Sequence, residues 1–258
     1  MQQAEIQRSS TIQSVQRAIM LLKAFDGAVE LGVSELGRKV NLHKSTVSRL
    51  LATLEHEGLV ERVAGSDKYR LGFELIRLAG MVPYFPDVRE ASRPVLVELA
   101  ESSRETVNLA VLDGDEVVNV EQISGPHLVR DTNWVGRRTL LHCVANGKVL
   151  LAFRPPAERE RIAFGPLPHY TERTIIDPVR LVKELDDVRR RGYAVALGEI
   201  EDGLNAIAAP VGGPAGVVIA AVSVSGPAYR VTPDRVPALG ALAIDAARRI
   251  AVRMGSTP

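Results

Sequence analysis

Cysteine occurs once in 258 residues, at Cys143, so no intramolecular disulfide can brace this chain and nothing suggests export. Aromatic residues make up only 4%, too few for the base-stacking platforms of a single-strand nucleic-acid binder. No apolar run approaches the ~20 residues needed to span a bilayer. The N-terminus, MQQAEIQRSSTIQSVQRA, lacks the charged-then-apolar layout of a signal peptide. The expected compartment is the cytoplasm, with no membrane partner. Charge of one sign is also missing, because the net charge is +1.

Catalytic signatures are equally scarce. There is no Gly-x-Ser-x-Gly elbow, Walker loop or dinucleotide fingerprint. Five widely spaced histidines and one cysteine give no metal-ligand spacing. His142 directly precedes Cys143, but neighbours in an extended segment point to opposite faces and cannot form a base–nucleophile pair. The expectation is a protein that is not an enzyme, with no cofactor, no metal and no catalytic residue. Cys143 reads as a small buried residue, with a redox-sensing role as the alternative.

What is present is a soluble composition, 46% hydrophobic and 24% charged, on a chain long enough for two cores. Residues 1–82 hold 11 Lys/Arg against 9 Asp/Glu, and the remainder holds 21 against 22. That asymmetry is mild, so nucleic-acid binding depends on a basic face and not on a basic domain.

Such a face can be read in the first part. From Thr11 to Phe25, Val15, Ala18, Ile19 and Leu22 stand at i, i+3, i+4, i+7, the stripe of an amphipathic helix, and Asp26-Gly27 stops it. A short helix over Val33 to Val40 buries Leu36 and Val40, with Glu35 near its N-terminus. The turn Asn41–His43 leads into a helix from about Ser45 to His56, with Val47, Leu50, Leu51 and Leu54 inward and Gly58 after its end. LVERV and KYRLG then flank AGSD as a hairpin. Three short helices and a hairpin make a winged helix-turn-helix. The outward set of its third helix is Lys44, Ser45, Thr46, Ser48, Arg49 and Thr53. Short hydroxyls near a helix start suit phosphates, and Arg49 can reach a base edge. Lys68 and Arg70 on the wing, with Arg38, are candidates for backbone phosphates. His43 and His56 read as structural or solvent-facing.

An amphipathic connector, Phe73 to Met81, is stopped by PYFP at Pro83–Pro86. The reading divides the chain into 1–72 (DNA-binding), 73–86 (linker helix and hinge) and 87–258. In the last part, helices are expected over Asp87–Ser103, Ala145–Phe153, Pro178–Arg191 and Pro233–Met254. TVNLAVL and VVNVEQI flank DGDE, NAIAAPV and GVVIAAVSV enclose GGPA, and HLVRDT reads as a further strand. That order gives an α+β fold with a largely antiparallel sheet. Trp134, the only tryptophan, falls in a loop at the sheet edge; Arg130, Arg137 and Arg138 read as solvated.

SVQRAIMLLKAF, VSELGRKVNLHKSTVSRLLATLEHEGLVER and YRLGFELIRLAG, with LHCVANGKVLLA and GLNAIAAPVGGPAGVVIAAVSVSGPAYRVTPDR, resemble the IclR family of bacterial transcriptional regulators over roughly Thr11 to Arg253. The resemblance implies a winged-helix domain, a linker helix and a GAF-like α/β effector domain that binds a small molecule. It also implies dimers, often paired into tetramers, on palindromic double-stranded operators. Its pattern places the effector-binding groups at Ala145 and Asn146, at Glu199 and Asn205, and at Ser223 and Ser225, with Trp134 over the site. The family often has an apolar residue where Asn146 stands, so a polar side chain there suggests an extra hydrogen bond to the ligand. A small organic acid or aromatic metabolite is the implied effector. The expected function is a ligand-responsive repressor or activator. A constitutive DNA-binding protein whose C-terminal part only oligomerises, and an enzyme tethered to DNA, are the rivals.

Overall fold

The structure, a computed structural model, describes residues 12–79, 81, 85–127, 133–213 and 216–255. Contacts divide the chain into two compact units, 1–83 and 84–258.

The first unit holds α1 (Gln13–Lys23), β1 (Leu31–Gly32), α2 (Val33–Val40), α3 (Lys44–His56), β2 (Val60–Arg62), β3 (Lys68–Leu71) and α4 (Glu74–Ala79). Helix α1 uses a different stripe from the one its sequence suggests. Leu21 and Phe25 are buried, with Ala18 and Leu22 partly so, while Val15 and Ile19 are about half exposed. The spacing is still i, i+3, i+4, i+7, but one row round, because a helix with apolar residues on two sides can satisfy the period twice. In α3, Val47, Leu51 and Leu54 are buried and Leu50 only partly.

The turn between α2 and α3 is set by two residues. Asn41 adopts the left-handed conformation at φ 53° and caps α2. Gly37 lets the chain double back, because a Cβ there would lie 2.9 Å from the Leu42 carbonyl oxygen. His43 is the N-cap of α3, where its Nδ1 accepts from the Ser45 N–H at 3.4 Å. Strands β2 and β3 form the expected hairpin. A third strand, β1, pairs antiparallel with β3; at two residues it is too short to leave a periodic signal.

The second unit is a six-stranded sheet, ordered β6-β5-β4-β9-β8-β7 and antiparallel throughout. Its strands are β4 (Thr106–Asp113), β5 (Glu116–Ile123), β6 (Arg138–Leu140), β7 (Ala194–Leu197), β8 (Leu204–Gly212) and β9 (Val218–Pro227). One face packs on α5 (Phe85–Ser103) and α9 (Val236–Arg253), through Val107, Leu109, Ile207, Val222 and Val224. The other packs on α6 (Ala145–Ala152), α7 (Pro156–Ala163) and α8 (Pro178–Arg191), through Ala110, Val117, Ala208 and Ala221. With both faces covered, strands read as near-continuous apolar runs. The fold is therefore mixed α+β, as the sequence reads.

Strands β6 and β7 and helix α7 were not legible in the sequence, and α9 is preceded by a 3-10 turn at Pro233–Arg235. HLVRDT lies outside the described residues from Leu128 onward, and so does Arg130. Leu141–Val144 is a turn and not an extended segment, so the opposite-faces reason for separating His142 from Cys143 does not hold; both are buried. No described helix is long and apolar enough to cross a membrane.

Candidate functional site

In the first unit, Arg38, Lys44, Ser45, Ser48 and Arg49 are exposed, and Thr46 is half-buried. Thr53 donates its hydroxyl back to the Arg49 carbonyl one turn earlier in the same helix, at 3.2 Å. Lys68 is exposed on the wing. Arg70 is not a free cation, because its Nε donates to Glu61 Oε1 at 2.6 Å across the hairpin. An exposed pair of this kind is weak and exchangeable, worth about 0–1 kcal/mol.

In the second unit, period-2 alternation puts Asn108 of β4, Asn119 of β5, Ala206 of β8 and Ser223 and Ser225 of β9 on the α6 side of the sheet. There they line a cavity with about 530 Å³ of empty space, mouth included. The start of α6 closes it with Val144, Ala145 and Asn146, and Trp134, Glu199 and Ile200 complete the rim. Helix α6 comes this close because residue 147 is glycine; a Cβ there would lie 2.4 Å from the Leu141 carbonyl oxygen. The first-turn amides of Ala145–Gly147 have no acceptor within their helix, which favours an anionic or acceptor group beside them.

Polar contacts bind the wall together. Asn108 Nδ2 donates to Ser225 Oγ at 3.2 Å, and Asn146 Nδ2 to Asn119 Oδ1 at 3.3 Å. Trp134 is half-buried; its backbone N–H donates to Gln122 Oε1 at 2.9 Å, and the Arg137 guanidinium sits 5.6 Å from its ring. Arg138 is paired with Asp113 and with Glu116 at 3.3 Å, so it is tied to the β4–β5 hairpin.

Glu199 is not the solvated loop acid its neighbours Glu201 and Asp202 suggest. It is buried, and its Oε1 accepts from Lys148 Nζ at 2.6 Å. Lys148, fully buried, also donates to the Val195 carbonyl at 2.8 Å. Hydroxyls of Thr171 and Thr174 hold the carbonyls of Gly198 and Glu199 at 2.6 and 2.7 Å. Burial pushes the Glu199 carboxyl up, and the Lys148 charge and hydrogen bond pull it only partly back.

Next to this pair, His142 Nε2–H donates to the Pro168 carbonyl at 2.9 Å, and burial lowers its imidazole. Burial pushes the Cys143 thiol up to about 12, so it is a neutral thiol near pH 7. Among the described residues no cluster of three or more His, Cys, Asp or Glu could hold a metal.

The cavity thus gathers Trp134, Ala145, Asn146, Glu199, Ser223 and Ser225. It excludes Asn205, whose side chain lies on the opposite face of β8 and donates to the Val231 carbonyl at 2.8 Å. The neighbours Leu204 and Ala206 face the cavity in its place. Sequence reasoning missed Asn108 and Asn119, although each is the single amide in an otherwise apolar stretch, TVNLAVL and VVNV. It also missed Lys148, the one charge in NGKVLLA.

Residues 85–252 match the family model described as bacterial transcriptional regulator IclR C-terminal, and 14–64 match the IclR helix-turn-helix domain. The HTH-type transcriptional regulator KdgR of Escherichia coli is 36% identical over 246 residues, covering 95% of this chain and 94% of the relative. Rv1719 of Mycobacterium tuberculosis, another HTH-type transcriptional regulator, is 38% identical over 236 residues, covering 91% and 90%. Among solved structures, an IclR homolog of Microbacterium hydrocarbonoxydans complexed with 4-hydroxybenzoate is 30% identical with a TM-score of 0.78, covering 95% of this chain and all of that one. Helix-turn-helix, antiparallel sheet and matched families agree: the chain belongs to the IclR family of bacterial transcriptional regulators.

Proposed function

We propose that the protein is a ligand-responsive regulator whose operator binding is controlled by a small organic acid or aromatic metabolite held in the cavity of residues 84–258. The observation that carries this reading is the cavity itself, with orphan helix amides on one side and a buried carboxylate on another. The bound 4-hydroxybenzoate of the Microbacterium homolog supports it, being an aromatic acid in a protein of the same family.

The DNA-reading surface is formed by Lys44, Ser45, Thr46, Ser48 and Arg49 of α3, with Arg38, Lys68 and Arg70 on phosphates. Trp134, Ala145, Asn146, Glu199, Ser223 and Ser225 form the effector site; Asn205 is structural. Residues 1–72 bind DNA, 73–86 link, and 87–258 sense and oligomerise. The protein works in the cytoplasm as a dimer, or a dimer of dimers, on a palindromic operator, with half-sites about one helical turn apart. It acts by binding and not by catalysis: the His142 N–H is spent on a carbonyl, and Cys143 is protonated near pH 7. The effector favours one arrangement of the assembly and shifts operator affinity by the same factor that DNA shifts effector affinity.

The test is fluorescence anisotropy on DNA from just upstream of the gene, against scrambled DNA at near-physiological salt, with and without small carboxylates and aromatics. Specific binding that one compound changes is the expected result. Specific binding that no compound changes would leave a constitutive DNA-binding protein.

A further inference from the structure

Six buried side-chain nitrogen and oxygen atoms among the described residues have no hydrogen-bond partner in the protein. Four belong to residues that line the cavity: Asn108 Oδ1, Thr139 Oγ1, Asn146 Oδ1 and Glu199 Oε2. Native folds keep such atoms few, because each costs about 1–3 kcal/mol while unsatisfied. Their concentration around one cavity marks a place where a ligand completes the bonding.

The type of atom restricts the ligand. The amide nitrogens of Asn108 and Asn146 are committed to Ser225 and Asn119, and Glu199 Oε1 to Lys148, so three of the four atoms are acceptors that require donors. No lysine or arginine lines the cavity among the described residues, and Lys148 Nζ is held by Glu199 and the Val195 carbonyl. An anionic end of the ligand therefore has only the first-turn amides of α6 to meet it. A second cation is also disfavoured, because the Lys148–Glu199 pair is already neutral. Neutral donors remain, and in small metabolites these are chiefly hydroxyl groups.

Resting on the reading that this cavity holds the effector, we infer that the effector is a small acid carrying several hydroxyl groups. Its carboxylate lies at the start of α6, and its hydroxyls donate to Asn108, Asn146 and Glu199. A plain alkyl or aryl acid leaves those acceptors unpaired, and a site built to bond hydroxyls discriminates strongly against analogues without them.

The test is isothermal titration calorimetry on the full chain with two length-matched pairs, glycerate against propionate and gluconate against hexanoate, and with benzoate. Operator anisotropy is measured in parallel. The hydroxylated member of at least one pair is expected to bind at least about tenfold tighter than its plain partner and to change operator affinity, since two or more hydrogen bonds separate them. Asn146→Leu, with far-ultraviolet circular dichroism to verify folding, is expected to reduce that ratio. Tighter binding of hexanoate, propionate or benzoate than of the hydroxylated acids would overturn the inference and leave the regulator reading standing. A ratio unchanged in Asn146→Leu would remove Asn146 from the site. If no acid binds and operator affinity never moves, the effector reading fails as well.

Discussion

Lys148 and Glu199, 51 residues apart in sequence, meet at 2.6 Å in the interior of the second unit, with Lys148 fully buried. Two charges taken out of water together are costly to separate. Removing one leaves the other without compensation, whereas replacing both with apolar side chains of similar size is often neutral.

Lys148→Met is therefore expected to destabilise the fold by about 3–5 kcal/mol. The Lys148→Met/Glu199→Leu pair should recover much of that loss. Urea denaturation of the parent, Lys148→Met, Glu199→Leu and the double variant measures it. Additive losses would show that the pair is not coupled in the folded state.

At Gly147 the obstacle is main chain, which cannot rotate away. Gly147→Ala places a methyl 2.4 Å from the Leu141 carbonyl oxygen and 2.6 Å from its Cα, so helix α6 must shift outward. The expected cost is about 1–3 kcal/mol, with a weakened response to any cavity ligand. A melt equal to that of the parent protein would mean the helix start gives way freely.

His142 links stability to pH. Burial lowers its imidazole from the ordinary value near 6.5, and Lys148 lowers it further against the pull of the Pro168 carbonyl. Between the depressed value and 6.5, the unfolded chain binds more protons than the folded one. Unfolding free energy therefore rises with pH across that window and is lost on acidification. His142→Gln should flatten this slope when denaturation midpoints are compared between pH 5 and 7.

Arg49→Ala is expected to weaken operator binding about 5- to 150-fold while leaving scrambled DNA less affected, as loss of a two-pronged base contact requires. Equal losses on both DNAs would make Arg49 a phosphate contact.

How much of this was legible depends on length and period. Helices α3 and α8 show their buried stripes plainly, and the hairpins announce themselves through DGDE and GGPA. Strands of two to four residues, such as β1, β6 and β7, are too short to establish any period. Asn205 illustrates a different limit. A motif assigns a residue to a strand, but the face it presents depends on register, and one step along β8 separates the cavity from the α9 side. The Lys148–Glu199 pair depends on tertiary contact alone, and no local pattern could have joined them.

The cavity wall has a further consequence through its connectivity. Asn108 and Ser225 hydrogen-bond across 117 residues of chain, and Asn146 reaches Asn119 from another element. No single hairpin contains the site; it is complete only when β4 has paired with both β5 and β9 and α6 has docked. Loop-closure entropy must be met before any of these groups come together. A ligand that recognises them therefore discriminates the finished domain from every partly folded form, and in binding it raises the free energy of global unfolding. For a ligand of this cavity, binding and certifying complete folding are the same event.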